Sequence, residues 1–395
     1  MRSPSVLIVG ASAAGLSVAE SLRQMGHEGK VTMLGAETHQ PYDRPPLPKQ
    51  LLAGEWEAER TRLRPPQTLS ALNAEWLLGE EATHLEVAER TVHTASGRRL
   101  QADHIVVATG ARPRTLPGTG HLRGVHTLRT LDDAIALRTT LTAARSLVIV
   151  GDGVLAAETA ATARKLGVHV TMTGPQPRPM ASQLGTLASQ RLAALHTENG
   201  VRLRLGTAVT GFTAQHGHVR GVRLNTGEVL TADAVVTAIG CLPNTEWLTN
   251  SGLKIDGGLV CDSLCRAAEG IHGVGDVARW HHEALAKPLR LENRTNATQQ
   301  ARAVAADILG AGEPYAPIPY FWTDQYDTRI QVHGTLPPDA EATVVEGDIE
   351  GNCFVALYSK ADRAFGVLGW NMPKQLMTHR KELTTTFAVP PVAVR

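Results

Sequence analysis

Cysteine is scarce in this chain. Its 395 residues contain four thiols, Cys241, Cys261, Cys265 and Cys353, too few and too scattered for a disulfide framework. Cys261 and Cys265 stand four apart, but no second pair or histidine partner follows at zinc spacing, so no metal is expected. Net charge is nearly absent as well: 39 Lys and Arg against 38 Asp and Glu leave +1, which gives no reason to expect a nucleic acid partner. No apolar run approaches the roughly 18 residues that span a bilayer, so no membrane association is expected. A strand-like run begins at residue 6, leaving no room for a signal peptide, and the expected location is cytoplasmic. What remains is a globular composition, 43% hydrophobic and 19% charged, long enough for two or three domains.

The opening stretch organises the rest. Val6 to Val9 reads as a short buried strand, and a tight turn through Gly10, Ser12 and Gly15 opens into an apolar-periodic helix, Leu16 to Met25. Gly10 permits the sharp turn and Gly15 the close packing of helix on strand. Together they aim the helix N-terminus at a pyrophosphate. Ser12 stands where the usual motif has its middle glycine. Lys30 to Leu34 completes a βαβ unit, and Glu37 lies 22 residues after Gly15, where an acid serves the adenosine ribose. Pro41 to Lys49 is too proline-rich for a helix or central strand. It reads as an ordered excursion whose terminal Lys49 is placed to reach a ligand. Residues 56–103 read as a small β-meander, and Ile105 to Gly110 as a buried strand, after which Ala111 to Arg114 turn out of the domain.

The opening theme then returns. Leu147 to Val150 is again a strand, followed by Gly151, Gly153 and Ala156 in the small positions, a helix to about Leu166 and a strand from Val168 to Met172. Two dinucleotide fingerprints about 140 residues apart suggest a flavin and a nicotinamide exchanging a hydride. Ala234 to Gly240 parallels the strand ending at Gly110, so these two bracket an inserted domain. Gly258 to Cys261 is a short strand. Gly270 to Asp276 is a strand ending in an aspartate, the position of the ligand crevice in a doubly wound sheet. Asn293 to Leu309 reads as an Ala-rich helix. Short strands follow at 320–324, 329–333, 353–357 and 364–370, and the last dozen residues read as an extended tail. The expected fold is α/β, with two doubly wound dinucleotide-binding domains, 1–113 with 242–316 and 114–241. A C-terminal α+β domain at 317–395 completes it.

The motifs also carry a resemblance. Gly10 to Gly15, Tyr42 to Lys49, Ala108 to Arg114, Thr127 to Ala134, Gly151 to Glu158, Gly275 to Arg279 and Phe321 to Tyr326 are collinear with one family. The chain resembles the FAD-dependent NAD(P)H:ferredoxin reductases of bacterial cytochrome P450 and dioxygenase systems, a glutathione-reductase-like fold. The proline-rich lysine loop and the Phe-Trp-Thr-Asp-Gln-Tyr run are more specific than the glycine motifs. The resemblance implies backbone contacts from Ala14 and Ala36 to the FAD pyrophosphate and adenosine ribose, with Ala82 near the adenine. It places Arg129 at the FAD phosphates, Asp276 at the ribityl hydroxyls and Trp322 near the flavin. Lys49 would lie near flavin N5 paired with Glu158, and the backbone around Arg294 near the N1–C2=O edge. Gly10, Ser12, Ala13, Gly15, Glu37, Arg44, Ala108, Thr109, Gly110, Gly275 and Asn293 complete the implied flavin side. Gly151, Gly153, Val154, Leu155, Arg178 and Gly240 complete the nicotinamide side.

Lys49, Glu158, Arg294 and Trp322 are thus expected to serve catalysis by position and charge. The implied cofactors are FAD and NADH or NADPH. The implied partner is a small iron–sulfur ferredoxin (2Fe-2S or 3Fe-4S) that feeds a P450 or related oxygenase, with Arg290 and Arg329 as candidate contacts if they are not simply solvated charges. Three features depart from the family. Position 294 is arginine where many relatives have an aromatic residue, and position 36 is alanine where an acid is common. No acid follows the strand ending at Met172, and Arg178 there tilts the expectation slightly towards NADPH or towards weak discrimination between the two nucleotides. Three other functions share this fold. A disulfide or persulfide reductase needs a redox cysteine in the excursion, and residues 37–52 have none. An NAD(P)H oxidase and a flavin-bound redox sensor stay open.

Overall fold

The computed structural model describes residues 3–388. Val6–Val9, buried along its whole length, lies inside a six-stranded sheet. The strand order is Arg266–Ala268, Ile271–Gly273, His104–Val107, Val6–Val9, Val31–Gly35, Glu75–Leu78. All neighbours are parallel except the outer pair Arg266–Ala268 and Ile271–Gly273. Parallel strands must be covered on both faces, which is why they read as unbroken apolar runs. The helices Ala13–Gln24 and Arg294–Ile308 pack on each other against this sheet, their alanines allowing close approach.

The second fingerprint builds a second, all-parallel sheet. Its order is Arg202–Leu205, His169–Gly174, Ser146–Val150, Ala234–Thr237, Val125–His126. The chain passes between the two sheets at Ala111–Pro113 and Cys241–Pro243, which pair antiparallel. The C-terminal part is a five-stranded antiparallel sheet, ordered Tyr320–Gln325, Thr328–Gly334, Arg363–Trp370, Cys353–Lys360, Glu341–Asp348, with the helix Pro373–His379 packed on it.

The differences from the sequence reading have physical causes. The expected meander is Ala82–Glu86, Thr91–Thr94 and Arg99–Gln101, but Glu75–Leu78 within the same stretch joins the main sheet instead. Glu341–Asp348 went unrecognised because it is an exposed, acidic edge strand. The tail is not loose where it is described. Thr386 is buried and its hydroxyl accepts a hydrogen bond from Arg363 Nε (3.1 Å), while Phe387 packs into an apolar cluster. The rest of that tail lies outside the described residues.

Packing divides the chain differently from its sequence order. One core surrounds the first sheet. A second large core is shared by the second sheet and the C-terminal sheet and also takes in Tyr42, Leu47, Leu51 and Leu52, while two smaller clusters lie beside it. The proline-rich excursion therefore leaves the first sheet and is anchored in the second body. The turn Leu47–Leu51 that carries Lys49 is a single π-helical turn entered through prolines. Buried polar contacts reinforce the shared core. His196 Nε2 donates to Gln325 Oε1 (2.8 Å), while the Tyr326 hydroxyl faces His196 Nδ1 (3.2 Å). The helix Ala181–Glu198 breaks at Gly185, whose φ of 69° is readily adopted by glycine. There the Tyr358 hydroxyl donates to the Leu184 carbonyl (2.6 Å).

Burial lowers the pKa of His196 to about 4, against about 6.5 in an unfolded chain. The unfolded state binds the extra proton between those values. Stability from this group is therefore intact above pH 6.5 and is lost as pH falls towards 4. At pH 5 the loss is about 2 kcal/mol. Urea unfolding at pH 7.5 and pH 5 should show it, and His196→Gln should remove that share. His333, likewise held at about 4 by burial and by Arg380, should leave a residual pH dependence.

Candidate active site

Both glycine turns are built alike. Gly10 has φ +124° and a Cβ there would lie 2.1 Å from the Ala108 carbonyl oxygen; Gly151 has φ +138° and its Cβ would lie 2.1 Å from that of Ala238. A Cβ on Gly15 would lie 1.9 Å from the Gly10 carbonyl oxygen, so helix and turn touch directly. The helices that follow begin without side-chain caps: Ser12 and Gly153 are extended and neither makes a cap hydrogen bond. Two other helices, Leu131–Leu141 and Arg294–Ile308, are closed by side chains. Thr130 forms a reciprocal capping box with Asp133, and the Asn293 side chain accepts from Asn296 N (2.8 Å). Uncapped first-turn N–H groups with the positive end of a helix dipole are an anion site.

A cavity of about 1090 Å³ joins the two turns. Its wall includes Gly10, Ser12, Ala13, Ala14, Ala36, Glu37, Ala82, Ala108, Thr109, Gly110, Asp276, Asn293 and Arg294 from the first-sheet side, Arg44 and Lys49 from the proline-rich excursion, and Arg129 from the segment before the helix Leu131–Leu141. Gly153, Val154, Leu155, Glu158 and Gly240 come from the second fingerprint and Trp322 from the C-terminal sheet. Gly15, Gly151 and Gly275 are not in the wall and act in packing behind it. Arg178 also lies outside the wall; its Nε donates to Ser189 Oγ (3.1 Å). The loop before Arg178 is tied down by Asp152, which accepts from Gln176 N (2.8 Å) and Gln176 Nε2 (2.6 Å).

Two residues that the sequence does not single out as site residues contribute here, Cys241 and Gln300. Cys241 lines the wall immediately after Gly240. Burial and the nearby Glu292 push its thiol up to about 12. Gln300, fully buried, accepts from Gly275 N (2.8 Å) and so holds the turn that presents Asp276. Its signal was a polar residue four after Asn296 on an otherwise alanine-rich helix face. Tyr42 opens the proline-rich lysine motif, whose sequence does not reveal the tyrosine's partners.

Charge around the cavity comes in pairs. Arg44 Nη2 meets Glu37 Oε1 at 2.7 Å, and the Tyr42 hydroxyl donates to Glu37 Oε2. Arg129 Nη2 meets Asp276 Oδ2 at 2.8 Å, while Arg129 Nε is buried with no partner among the described residues. Arg294 Nε meets Asp43 Oδ1 at 2.7 Å and its Nη1 donates to the Thr298 hydroxyl. Lys49 Nζ meets Glu158 Oε1 at 3.0 Å and Asp324 Oδ2 at 3.6 Å. Glu158 Oε1 also accepts from Thr323 Oγ1 (2.8 Å) and Asp324 N (3.3 Å). Burial nevertheless outweighs Lys49 and these donors, so the Glu158 carboxyl sits above the usual carboxylate range.

These residues fit a dinucleotide on two counts. The glycine turns form cradles that a Cβ would fill, and the orphaned Arg129 Nε lacks an acceptor that a phosphate would supply. Two such turns on one cavity define a two-dinucleotide oxidoreductase fold. Residues 4–301 match the pyridine nucleotide-disulphide oxidoreductase model, and residues 320–395 a reductase C-terminal model. Rhodocoxin reductase of Rhodococcus erythropolis is 37% identical over 98% of this chain and 91% of its own. Putidaredoxin reductase CamA of Pseudomonas putida is 35% identical over 98% and 93%. The structure of a covalent putidaredoxin reductase–putidaredoxin complex matches with TM-score 0.93 and 34% identity, covering 98% of this chain and 94% of that one. The chain belongs to the pyridine nucleotide-disulphide oxidoreductases, in the family of ferredoxin reductases.

Lys49→Met should leave Glu158 buried without its cation and cost about 3 kcal/mol. Adding Glu158→Gln should recover most of that loss, which a double-mutant cycle in urea would measure.

Proposed function

We propose that the protein is an FAD-dependent NAD(P)H:ferredoxin reductase serving a cytochrome P450 or related oxygenase. The observation that carries this reading is the single cavity onto which both dinucleotide turns open, crossed by the Lys49–Glu158 pair. The bound flavin supplies the redox chemistry, taking two electrons as a hydride and releasing them singly. The chain's own groups bind and orient. The uncapped N–H groups after Ser12, with Ala13 and Ala14, hold the FAD pyrophosphate, and Ala36, Glu37 and Ala82 its adenosine end. Arg129 offers its free Nε to a phosphate and Asp276 accepts from ribityl hydroxyls. Gly153 to Leu155 receive the nicotinamide nucleotide.

Lys49, kept at the cavity wall by Glu158, would place positive charge beside a bound flavin, and Trp322 would offer it an aromatic wall. Arg294 acts through its pair with Asp43. The domain boundaries at about 113, 241 and 316 are part of this proposal, supported by the paired crossings Ala111–Pro113 and Cys241–Pro243. We place the enzyme in the cytoplasm, where NAD(P)H is available. Among the described residues no helix is long and apolar enough to cross a membrane.

A ferredoxin partner is supported by the relatives named above, and a 2Fe-2S or 3Fe-4S cluster in it is part of this proposal. Arg329, whose side chain is half exposed, is better placed to meet an acidic surface than Arg290, which is engaged by Glu292 (2.5 Å). Disulfide chemistry finds little support: the Cys241 thiol, held up at about 12, is a weak nucleophile. For the nucleotide, the end of the strand His169–Gly174 offers no acid to a ribose diol. NADPH is expected to serve at least as well as NADH.

The test is anaerobic mixing of the purified yellow protein with NADH and with NADPH, followed by a ferredoxin and cytochrome c. Rapid bleaching, then cytochrome reduction that requires the ferredoxin, is the expected result. Absence of bleaching with both nucleotides would overturn the reading. In a parallel aerobic assay, fast oxygen consumption without ferredoxin would replace it with an oxidase.

A further inference from the structure

Glu158 is held unusually for a carboxylate. Three donors converge on one oxygen, Oε1: Lys49 Nζ at 3.0 Å, Thr323 Oγ1 at 2.8 Å and the backbone N–H of Asp324 at 3.3 Å. Two of the three come from the C-terminal strand Tyr320–Gln325, which is remote in sequence from both fingerprints. Thr323 is itself fully buried, and its hydroxyl accepts from Gln325 Nε2 (3.1 Å), so its own proton is directed at Glu158. The Asp324 carboxylate also approaches Lys49, 3.6 Å from Nζ, and is restrained by Arg329 Nη1 at 3.7 Å.

We propose that Thr323 and Asp324 are positioning residues that set the charge on Glu158 and thereby the place of Lys49 in the cavity. This rests on the reading of the site given above. Thr323 stabilises the Glu158 anion by donating to it. Asp324 opposes that anion by competing for the same ammonium. Lys49 is poised between a buried carboxylate and a partly solvated one, and its reach depends on the charge that Glu158 carries. The charged groups facing Glu158 are Lys49 from the turn Leu47–Leu51, Asp324 from its strand, and behind that Arg329. The strands beneath its helix, Ser146–Val150 and His169–Gly174, contribute one titratable side chain, His169, at the opposite end.

The two residues act in opposite directions, which makes the proposal testable. Thr323→Val removes a donor and should move Glu158 protonation up by about one pH unit. Asp324→Asn keeps the backbone N–H but removes the competing charge, and should move it down. Thr323→Ser should restore the original value. The readout is the protonated-carboxyl infrared band of the FAD-loaded protein as a function of pH, identified by its loss in Glu158→Gln. The acid limb of the rate of flavin reduction by NAD(P)H should follow the same order. Loosened packing would not move the two variants oppositely, so equal shifts or none in the infrared titration would overturn the proposal. A protein that NAD(P)H does not reduce would instead defeat the functional reading, and the infrared titration would still decide this one.

Discussion

A buried carboxylate keeps its charge only if a cation and hydrogen-bond donors are brought to it. Glu158 obtains them from two places far away in the chain: Lys49, 109 residues earlier, and Thr323 with the Asp324 amide, 165 and 166 residues later. Satisfying that one group requires the proline-rich turn, the second fingerprint helix and the C-terminal sheet to be in register together. The ion pair is weak evidence for net stability, since an apolar substitute of the same volume can do as well. Its value lies in specifying one arrangement. Misplacement of any of the three partners leaves a desolvated charge.

The packing follows the same logic. The excursion that bears Lys49 starts from the first sheet, yet Tyr42, Leu47, Leu51 and Leu52 lie in the core shared by the second and C-terminal sheets. Tyr42 connects it back, donating to Glu37 and accepting from Leu131 N (3.1 Å). Arg44 links the same loop to the Arg129 carbonyl at 2.6 Å. The loop therefore joins two hydrophobic bodies that otherwise have separate cores. Lys49, Glu158 and Trp322 belong to one of those bodies, and the first glycine turn, Asp276 and Arg294 to the other. A displacement between the bodies would carry the Lys49–Glu158 pair as a unit relative to the first fingerprint.

What was legible in the sequence was whatever local physics repeats. Both strand–turn–helix units show in the apolar runs and in the glycines that carbonyl oxygens 2.1 Å from a would-be Cβ demand. Asn293 as the residue opening the Ala-rich helix was legible too, because capping is a local preference. The resemblance supplied Lys49 with Glu158, a long-range pair that no periodicity encodes. Illegible were contacts set by tertiary placement. Cys241 reaches the cavity because the crossing strands bring Gly240 there, and Thr323 reaches Glu158 because its strand packs on that helix. Arg178 shows the converse: a basic residue at a suggestive sequence position, turned instead to Ser189.

The electrostatics of the cavity explain why the glycine turns matter more than its arginines. Arg44, Arg129, Arg294 and Lys49 each already face an acid at 3.0 Å or less. To a diphosphate arriving from water, each such pair looks like a dipole and offers little net attraction. The unpartnered positive ends are elsewhere, at the uncapped starts of the helices Ala13–Gln24 and Val154–Lys165 and at Arg129 Nε. Those donors are fixed before binding and need no rearrangement to receive an anion, so they can supply affinity without side-chain ordering cost. The paired side chains are left to orient and to tune. On the proposed reading these pairs lie on the flavin side, and the phosphates of both nucleotides are left mainly to the backbone donors at the two helix starts.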